Sequence, residues 1–408
     1  MEIEKKIVLR IYICLIALIL IDPLLKNFIS NTTFLRSCEL ICYIIIMFSE
    51  WKLYLRKGLV WPRGGGTLFL YILLSAIMIG IIVRGNWDGL SMKDVLLKVV
   101  SQTKGWILPI ILMPLPNRKY FSLIIKILYR ASLFIIPLWF FSMSELVPGT
   151  YKGELIGALL GFFSAFLLGL PAFFSKRQRY VTIIIWSVYF LLMMLNARRN
   201  ASFTLAIYAF IAYLFSILNN IKKYPVKYFI ICCCSILALL IVYLNLDSLA
   251  SGMFSNMSKR ASENTRSDVE ELFFLDFANS PVEDWIWGRG MDGGYYQEVV
   301  NEDTGEISDK RQGIETGYLT MMLKGGLAYD VVVVLMMLAA LHGVFRKDND
   351  IIIKYISVIL ITYFLDMYTT NPVVDYGVRS ILFWFIISVL LQDKNYNYGN
   401  TNYICTQG

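Results

Sequence analysis

The chain is predicted to be an all-α, polytopic membrane protein, from its composition, the length of its apolar runs and the distribution of its charge. Its 408 residues are 57% hydrophobic and 17% charged, with a mean hydropathy of +0.60. A water-soluble chain cannot hide that much apolar surface. Apolar runs of roughly 18–22 residues recur between short polar stretches, the length that crosses a ~30 Å hydrocarbon core as a helix. Helices satisfy their own backbone groups in lipid, and the shorter alternating segments of a barrel are not seen.

Length and hydropathy place about twelve spans, near residues 7–25, 35–54, 67–83, 97–115, 121–141, 154–174, 180–196, 201–221, 227–246, 317–345, 351–368 and 378–392. The first run follows Lys5, Lys6 and Arg10, has no small-residue cleavage pattern and leads into Asp22-Pro23, so it reads as an uncleaved first span. The fourth run is interrupted by Lys98 and Lys104. The stretch 317–345 is longer than one span requires and holds Gly325-Gly326 between Lys324 and Asp330. A short helix from Gly317 to Lys324, a break, and then the true span is the expected form; irregular backbone at that depth is tolerated where it lines a cavity. Four regions result: spans one to nine over 1–246, a large outer loop over 247–316, the re-entrant segment with spans ten to twelve over 317–392, and a tail over 393–408.

Basic residues set the orientation. Lys5, Lys6 and Arg10, then Lys52, Arg56, Lys57 and Arg63, then Arg118 and Lys119, then Lys176, Arg177 and Arg179, then Lys222, Lys223 and Lys227, and finally Arg346 and Lys347 fall on one side if both termini are cytoplasmic. The loop before span ten is then external. Residues 251–316 carry six basic and fourteen acidic side chains, a net of −8 that leaves +16 on the rest of the chain. The overall charge of +8 thus reports membrane orientation and does not point to nucleic acid. The seven cysteines (Cys14, Cys38, Cys42, Cys232, Cys233, Cys234 and Cys405) avoid the outer loop and form neither a disulfide framework nor a zinc spacing.

Four constellations stand out on the outer side. Arg198-Arg199 joins spans seven and eight, where basic residues are depleted, and sits at the positive end of a helix. A bound anion resolves both conflicts; a pair snorkelling to lipid head groups is the plainer alternative. Arg266 precedes Ser267-Asp268-Val269-Glu270, a capping-box pattern that starts a loop helix ended by Pro281. It suits an anion there, or it pairs with Asp268, Glu270 or Glu271. Arg289 lies between Gly288 and Gly290, in a turn that allows close backbone approach to a ligand; an exposed turn arginine is the alternative. Glu315 stands where the loop re-enters the membrane, a partly dry boundary at which a carboxylate suits a general base, or else charges the first turn of the following helix. Asn196, Tyr318, Asp22 and Asp375, with Asp366, lie near the same face as weaker candidates.

Other signals are discounted. Asp348-Asn349-Asp350 has the spacing of a metal–nucleotide acid pair but lies in a short inner loop. His342, the one histidine, is near the inner end of span ten, which excludes an outer Ser–His or histidine–metal site. Neither a phosphate-loop nor a dinucleotide glycine fingerprint is present.

Three local patterns in this order resemble the O-antigen polymerase and O-antigen ligase superfamily of bacterial envelope enzymes. They are Asn196-Ala197-Arg198-Arg199-Asn200; Thr265-Arg266 before a helix leading to Trp287-Gly288-Arg289-Gly290; and Glu315-Thr316-Gly317-Tyr318-Leu319 with Lys324-Gly325-Gly326. The ligase branch typically carries a histidine where this chain has Glu315, so the similarity is to the polymerase branch.

The resemblance implies a GT-C-like architecture in the bacterial inner membrane and a site on the periplasmic side. It implies a glycosyltransferase that needs no metal or other cofactor and moves a growing glycan from undecaprenyl diphosphate to a hydroxyl of a new lipid-linked repeat unit. Arg198, Arg199, Arg266 and Arg289 would bind the diphosphate and Glu315 would take the acceptor proton. The partners would be the two lipid-linked oligosaccharides, membrane lipid and a chain-length regulator, with no nucleic acid. A ligase acting on an acceptor lipid and a flippase or other transporter of lipid-linked glycans are the rival readings; a transporter would bury its charges at mid-membrane.

Overall fold

The computed structural model describes residues 2–28, 32–62, 64–142, 161–195, 199–220, 267–300, 307–314, 316–345, 351–371 and 373–392. The described chain is mostly helical. In order it forms α1 (Glu2–Phe28), α2 (Thr32–Leu55), α3 (Gly65–Val83), α4 (Met92–Gln102), α5 (Lys104–Leu112), α6 (Phe121–Ser142), α7 (161–168), α8 (Lys176–Leu195), α9 (Arg199–Asn220), α10 (Ser267–Ala278), α11 (Val282–Trp287), β1 (Tyr295–Val300), β2 (Ile307–Arg311), α12 (Gly317–Phe345), α13 (Ile351–Thr369) and α14 (Val378–Leu391). A one-turn 3-10 helix, Pro171–Phe173, follows α7.

Three of these helices are long and apolar enough to cross a membrane: Gly65–Val83, Gly317–His342 and Ile351–Tyr368. The run expected as a fourth span is a pair, α4 and α5, bent by 59°, either a broken span or a re-entrant loop. The two lysines that interrupt it lie on either side of the bend. Lys98 turns outward to Asp292, and Lys104 turns inward to the fully buried Glu39 of α2, which also takes a 2.7 Å ion pair from Arg36. The expected span 227–246 lies outside the described residues.

The chain divides into two compact units, residues 1–127, 265–347 and 360–408 in one and residues 128–264 and 348–359 in the other. In the first, α14 is buried on every side apart from Arg379, as an all-round apolar helix must be. Its C-terminal end is fixed by polar groups that satisfy one another: Tyr12 Oη donates to Asn117 Oδ1 at 2.7 Å, and Asn117 Nδ2 donates to Ser388 Oγ at 2.8 Å. Buried polar groups of this kind cost stability unless paired, and here they set the register of α14 against α1 and the 113–117 turn. In the second unit α7 is buried from 161 to 167, and Tyr355 Oη donates to the Phe166 carbonyl at 2.8 Å. There α8 and α9 pack together, with Trp186 Nε1 donating to the Leu205 carbonyl.

The 267–314 loop holds more than the one helix expected there. β1 and β2 form an antiparallel hairpin with Tyr295 opposite Arg311 and Val300 opposite Ile307. The β-forming Tyr295-Tyr296 and Val299-Val300 lead into the turn-forming composition of 301–305, a hairpin signal that the net acidity of the loop obscures. The loop shares a core with the start of α12: Phe273 and Phe277 of α10 pack with Tyr295, Ile314, Met322 and Leu323.

Candidate functional site

The site is built around a break in α12. Gly326 has φ 67° and ψ −174°, a conformation that only glycine adopts without strain, and it divides a short helix beginning at Gly317 from the long span. The break falls where the doubled glycine predicts it. It leaves carbonyls at the end of the short helix without helical partners. The 267–314 loop supplies them: the Arg289 amide donates to the Leu323 carbonyl at 2.7 Å, and the Gly290 amide to the Lys324 carbonyl at 3.0 Å. For the backbones to come so close, Gly288 must also lack a side chain. It has φ 68°, and a Cβ there would stand 2.5 Å from the amides of Gly325 and Gly326. The two glycine motifs of the resemblance are thus one hydrogen-bonded unit.

The C-terminal end of α3 completes it. The Arg84 guanidinium donates to the carbonyls of Trp287, at 2.6 Å, and Gly288. Met291 donates its amide to the Ile81 carbonyl at 3.0 Å, and Asn86 donates its amide to Asp292 Oδ2 at 2.8 Å. Lys98 of α4 pairs with the same carboxylate at 2.7 Å and lies over the Trp87 ring. Lys324 is buried and points back into the loop, donating to the carbonyls of Met291 at 2.9 Å and Gly293 at 2.8 Å. Asp292 and Asp375 lie within its electrostatic reach.

Arg289 is held inside the loop. Its guanidinium pairs with Asp276 at 2.5 Å and Asp284 at 2.9 Å, donates to the Gly294 carbonyl and Ser280 Oγ, and lies 4.7 Å from the Phe277 ring centre. Two carboxylates and two neutral acceptors engage all three guanidinium nitrogens, so the described role of Arg289 is to staple α10, α11 and β1 together. The acidity of the loop, diffuse in the sequence, partly resolves here into the two carboxylates that hold this cation.

Asp375 lies in the turn between α13 and α14. Its residue surface is exposed, yet the protein crowded around the carboxyl pushes it up to about 6, while Lys324 and Arg379 pull it the other way. Arg379 itself pairs with Asp366 at 3.3 Å and donates to Thr370 Oγ1 at 2.7 Å. Tyr318 is half-buried and donates to the Phe364 carbonyl at 3.0 Å, tying the short helix to α13. Gly317 sits against the Met367 and Thr370 carbonyls at the end of the same helix.

The remaining candidates are seen only through their neighbours. Asn196, Arg198, Arg266 and Glu315 lie outside the described residues, as do the side chains of Arg199, which opens α9, and Asp22, which lies in α1. Thr316 Oγ1 donates to Glu270 Oε1 at 2.7 Å, so the start of α12 and the first turn of α10 are joined. Glu270, expected to cap its own helix, is used for this contact. Sequence reasoning did not single out Arg84, Lys98, Asp292 or Lys324 as site residues. Lys98 and Lys324 had left a signal as charges that break apolar runs, whereas Arg84 and Asp292 had left none. Among the described residues no cluster of three or more His, Cys, Asp or Glu is placed to hold a metal ion. Compared with known proteins, the chain matches no protein-family model and no curated protein.

Proposed function

We propose that this protein polymerises polyprenyl-diphosphate-linked oligosaccharide repeat units at the outer face of a bacterial inner membrane. The observation that supports this best is the union of Gly288-Arg289-Gly290 with Lys324-Gly325-Gly326. Two of the patterns on which the resemblance rests meet in space, at a broken helix beneath a folded outer loop. The Thr316–Glu270 bond adds that the described neighbours of Glu315 and Arg266 are held together.

In this reading a sugar hydroxyl of one repeat unit attacks the anomeric carbon of the glycan carried by the other lipid. A carbon–oxygen bond forms, the bond to the diphosphate oxygen breaks, and the hydroxyl proton passes to Glu315. The lipid diphosphate leaves with its negative charge neutralised by Arg198, Arg199 and Arg266, without recourse to a metal ion. Arg289 shapes the loop, because each of its three guanidinium nitrogens is engaged within it, by Asp276, Asp284, Ser280 and Gly294. Tyr318 and Asp375 line the approach. About twelve spans and a GT-C-like arrangement belong to the same proposal.

Reconstituted protein given only undecaprenyl-diphosphate-linked repeat units tests it. A ladder of lengthening glycans is expected from the wild type. Arg199→Ala and Arg266→Ala should leave only single repeats, and Glu315→Gln should slow the reaction by about 100-fold or more. Full-length polymer from both arginine variants would remove the anion-site argument. Product formed only when an acceptor lipid is added would mark a ligase, and movement across the bilayer without change in length would mark a transporter.

A further inference from the structure

The apolar side chains of the outer loop are divided between a core and an exposed face, and that face is continuous with the lipid-facing sides of two spans. Arg289 grips α10 through Asp276 and α11 through Asp284. On a helix, positions two residues away lie on the opposite side. The gripped sides therefore turn Phe274 and Ala278 of α10, and Val282 and Ile286 of α11, away from the staple. All four are exposed, together with Leu272, Leu275 and Trp287; Val282 is 67% exposed and Trp287 is 51% exposed. A loop bathed only in water would bury such residues, and this loop already packs Phe273 and Phe277 against Met322 and Leu323 of α12 and leaves these out.

The position of α11 explains the exposure. Its last turn rests on the helix break, because a Cβ on Gly326 would run into the Ile286 carbonyl group. The next residue of α12, Leu327, is 47% exposed, and Val331, Leu335 and Leu338 continue an apolar side down that span. The Trp287 carbonyl is bonded to Arg84, next to Val83, which closes α3 and is 67% exposed. Phe69, Ile72 and Ile79 extend the exposed apolar side of α3. Ile286 and Trp287 thus stand at the outer rim of two spans, the level at which tryptophan is enriched in membrane proteins.

We infer that the α10–α11 pair lies in the outer leaflet, with Phe274, Leu275, Val282, Ile286 and Trp287 seated at the boundary between head groups and acyl chains. Glu271 and Glu283, exposed on the same helices, are left among the head groups, which fits a zwitterionic surface better than an anionic one. The lipid surface thereby holds the loop down over the broken helix. The inference depends on the apolar spans and not on the transferase reading, so either stands if the other fails.

Tryptophan quenching in phosphatidylcholine nanodiscs tests it. The chain has nine tryptophans, so the signal of interest is the emission removed by Trp287→Phe. Most of that emission should be quenched by lipids brominated near the glycerol end of the acyl chain, less by lipids brominated near the methyl end, and little by aqueous iodide. Val282→Trp adds a second reporter should the Trp287 variant loosen the loop, and its added emission should behave the same way. Quenching by iodide in place of bromolipid, or by neither, at both positions overturns the inference.

Discussion

Gly288 and Gly326 pack backbone to backbone, each with φ near +70°, and a Cβ on Gly326 would come within 2.5 Å of the Gly288 amide nitrogen. The contact joins the outer loop to the broken span without any side chain between them. Gly288→Ala or Gly326→Ala should each destabilise the protein by about 2 kcal/mol or more, since a left-handed backbone and a steric conflict arise together. The double variant should cost clearly less than the sum, because one displaced contact serves both. Thermal unfolding of the single and double variants in detergent checks this; simple additivity would mean that the two positions act separately.

Arg289 and Arg199 should fail in different ways. Arg289→Met leaves Asp276 and Asp284 facing each other without their cation and should destabilise the loop by about 2 kcal/mol. The result should be faster proteolytic cutting within 267–314 and a lower melting temperature. Arg199→Ala should leave both unchanged and lose only polymer. Limited proteolysis beside the glycan ladder separates the two; a stable loop in Arg289→Met would show that its carboxylates find other partners.

Asp375 carries a defined pH dependence. Its carboxyl is held up to about 6 in the folded protein against the ordinary aspartate value near 3.8, so the folded state binds the proton more tightly than the unfolded chain does. The stabilising contribution is present below the unfolded pKa and is lost as pH rises through about 6. Asp375→Asn should therefore gain melting temperature relative to the wild type as the pH is raised across that window, and show no gain near pH 4. Melting curves of both proteins from pH 4 to pH 8 test the sign. A constant difference across the range would show that the carboxyl titrates at its ordinary value.

Lys104 and Glu39 form a buried ion pair between α5 and α2, with Arg36 on the second carboxylate oxygen. Lys104→Met strands much of the Glu39 charge and should cost about 3–5 kcal/mol, whereas Lys104→Met with Glu39→Leu should recover most of it. The yield of folded protein in detergent reads both. A double variant no better than the single would show that the pair is needed for more than mutual neutralisation.

Hydropathy and run length alone were enough for the helical, membrane-spanning class, for most helix positions and for the break in the tenth run. Apolar length is a local property, and a doubled glycine between Lys324 and Asp330 is a local interruption. The bend between α4 and α5, the β-hairpin and the roles of the charged residues were decided only by tertiary structure. Lys98 and Lys104 look alike in the sequence; one serves Asp292 in the loop and the other Glu39 in α2, and only the fold brings those acids near. Arg289 looked free between two glycines, but folding places Asp276 and Asp284 on either side of it. The acidic loop is, where described, a folded cap on a broken helix. Its charges acquire meaning from partners far along the chain, since Coulomb and hydrogen-bond terms depend on distance in space and not on order in sequence.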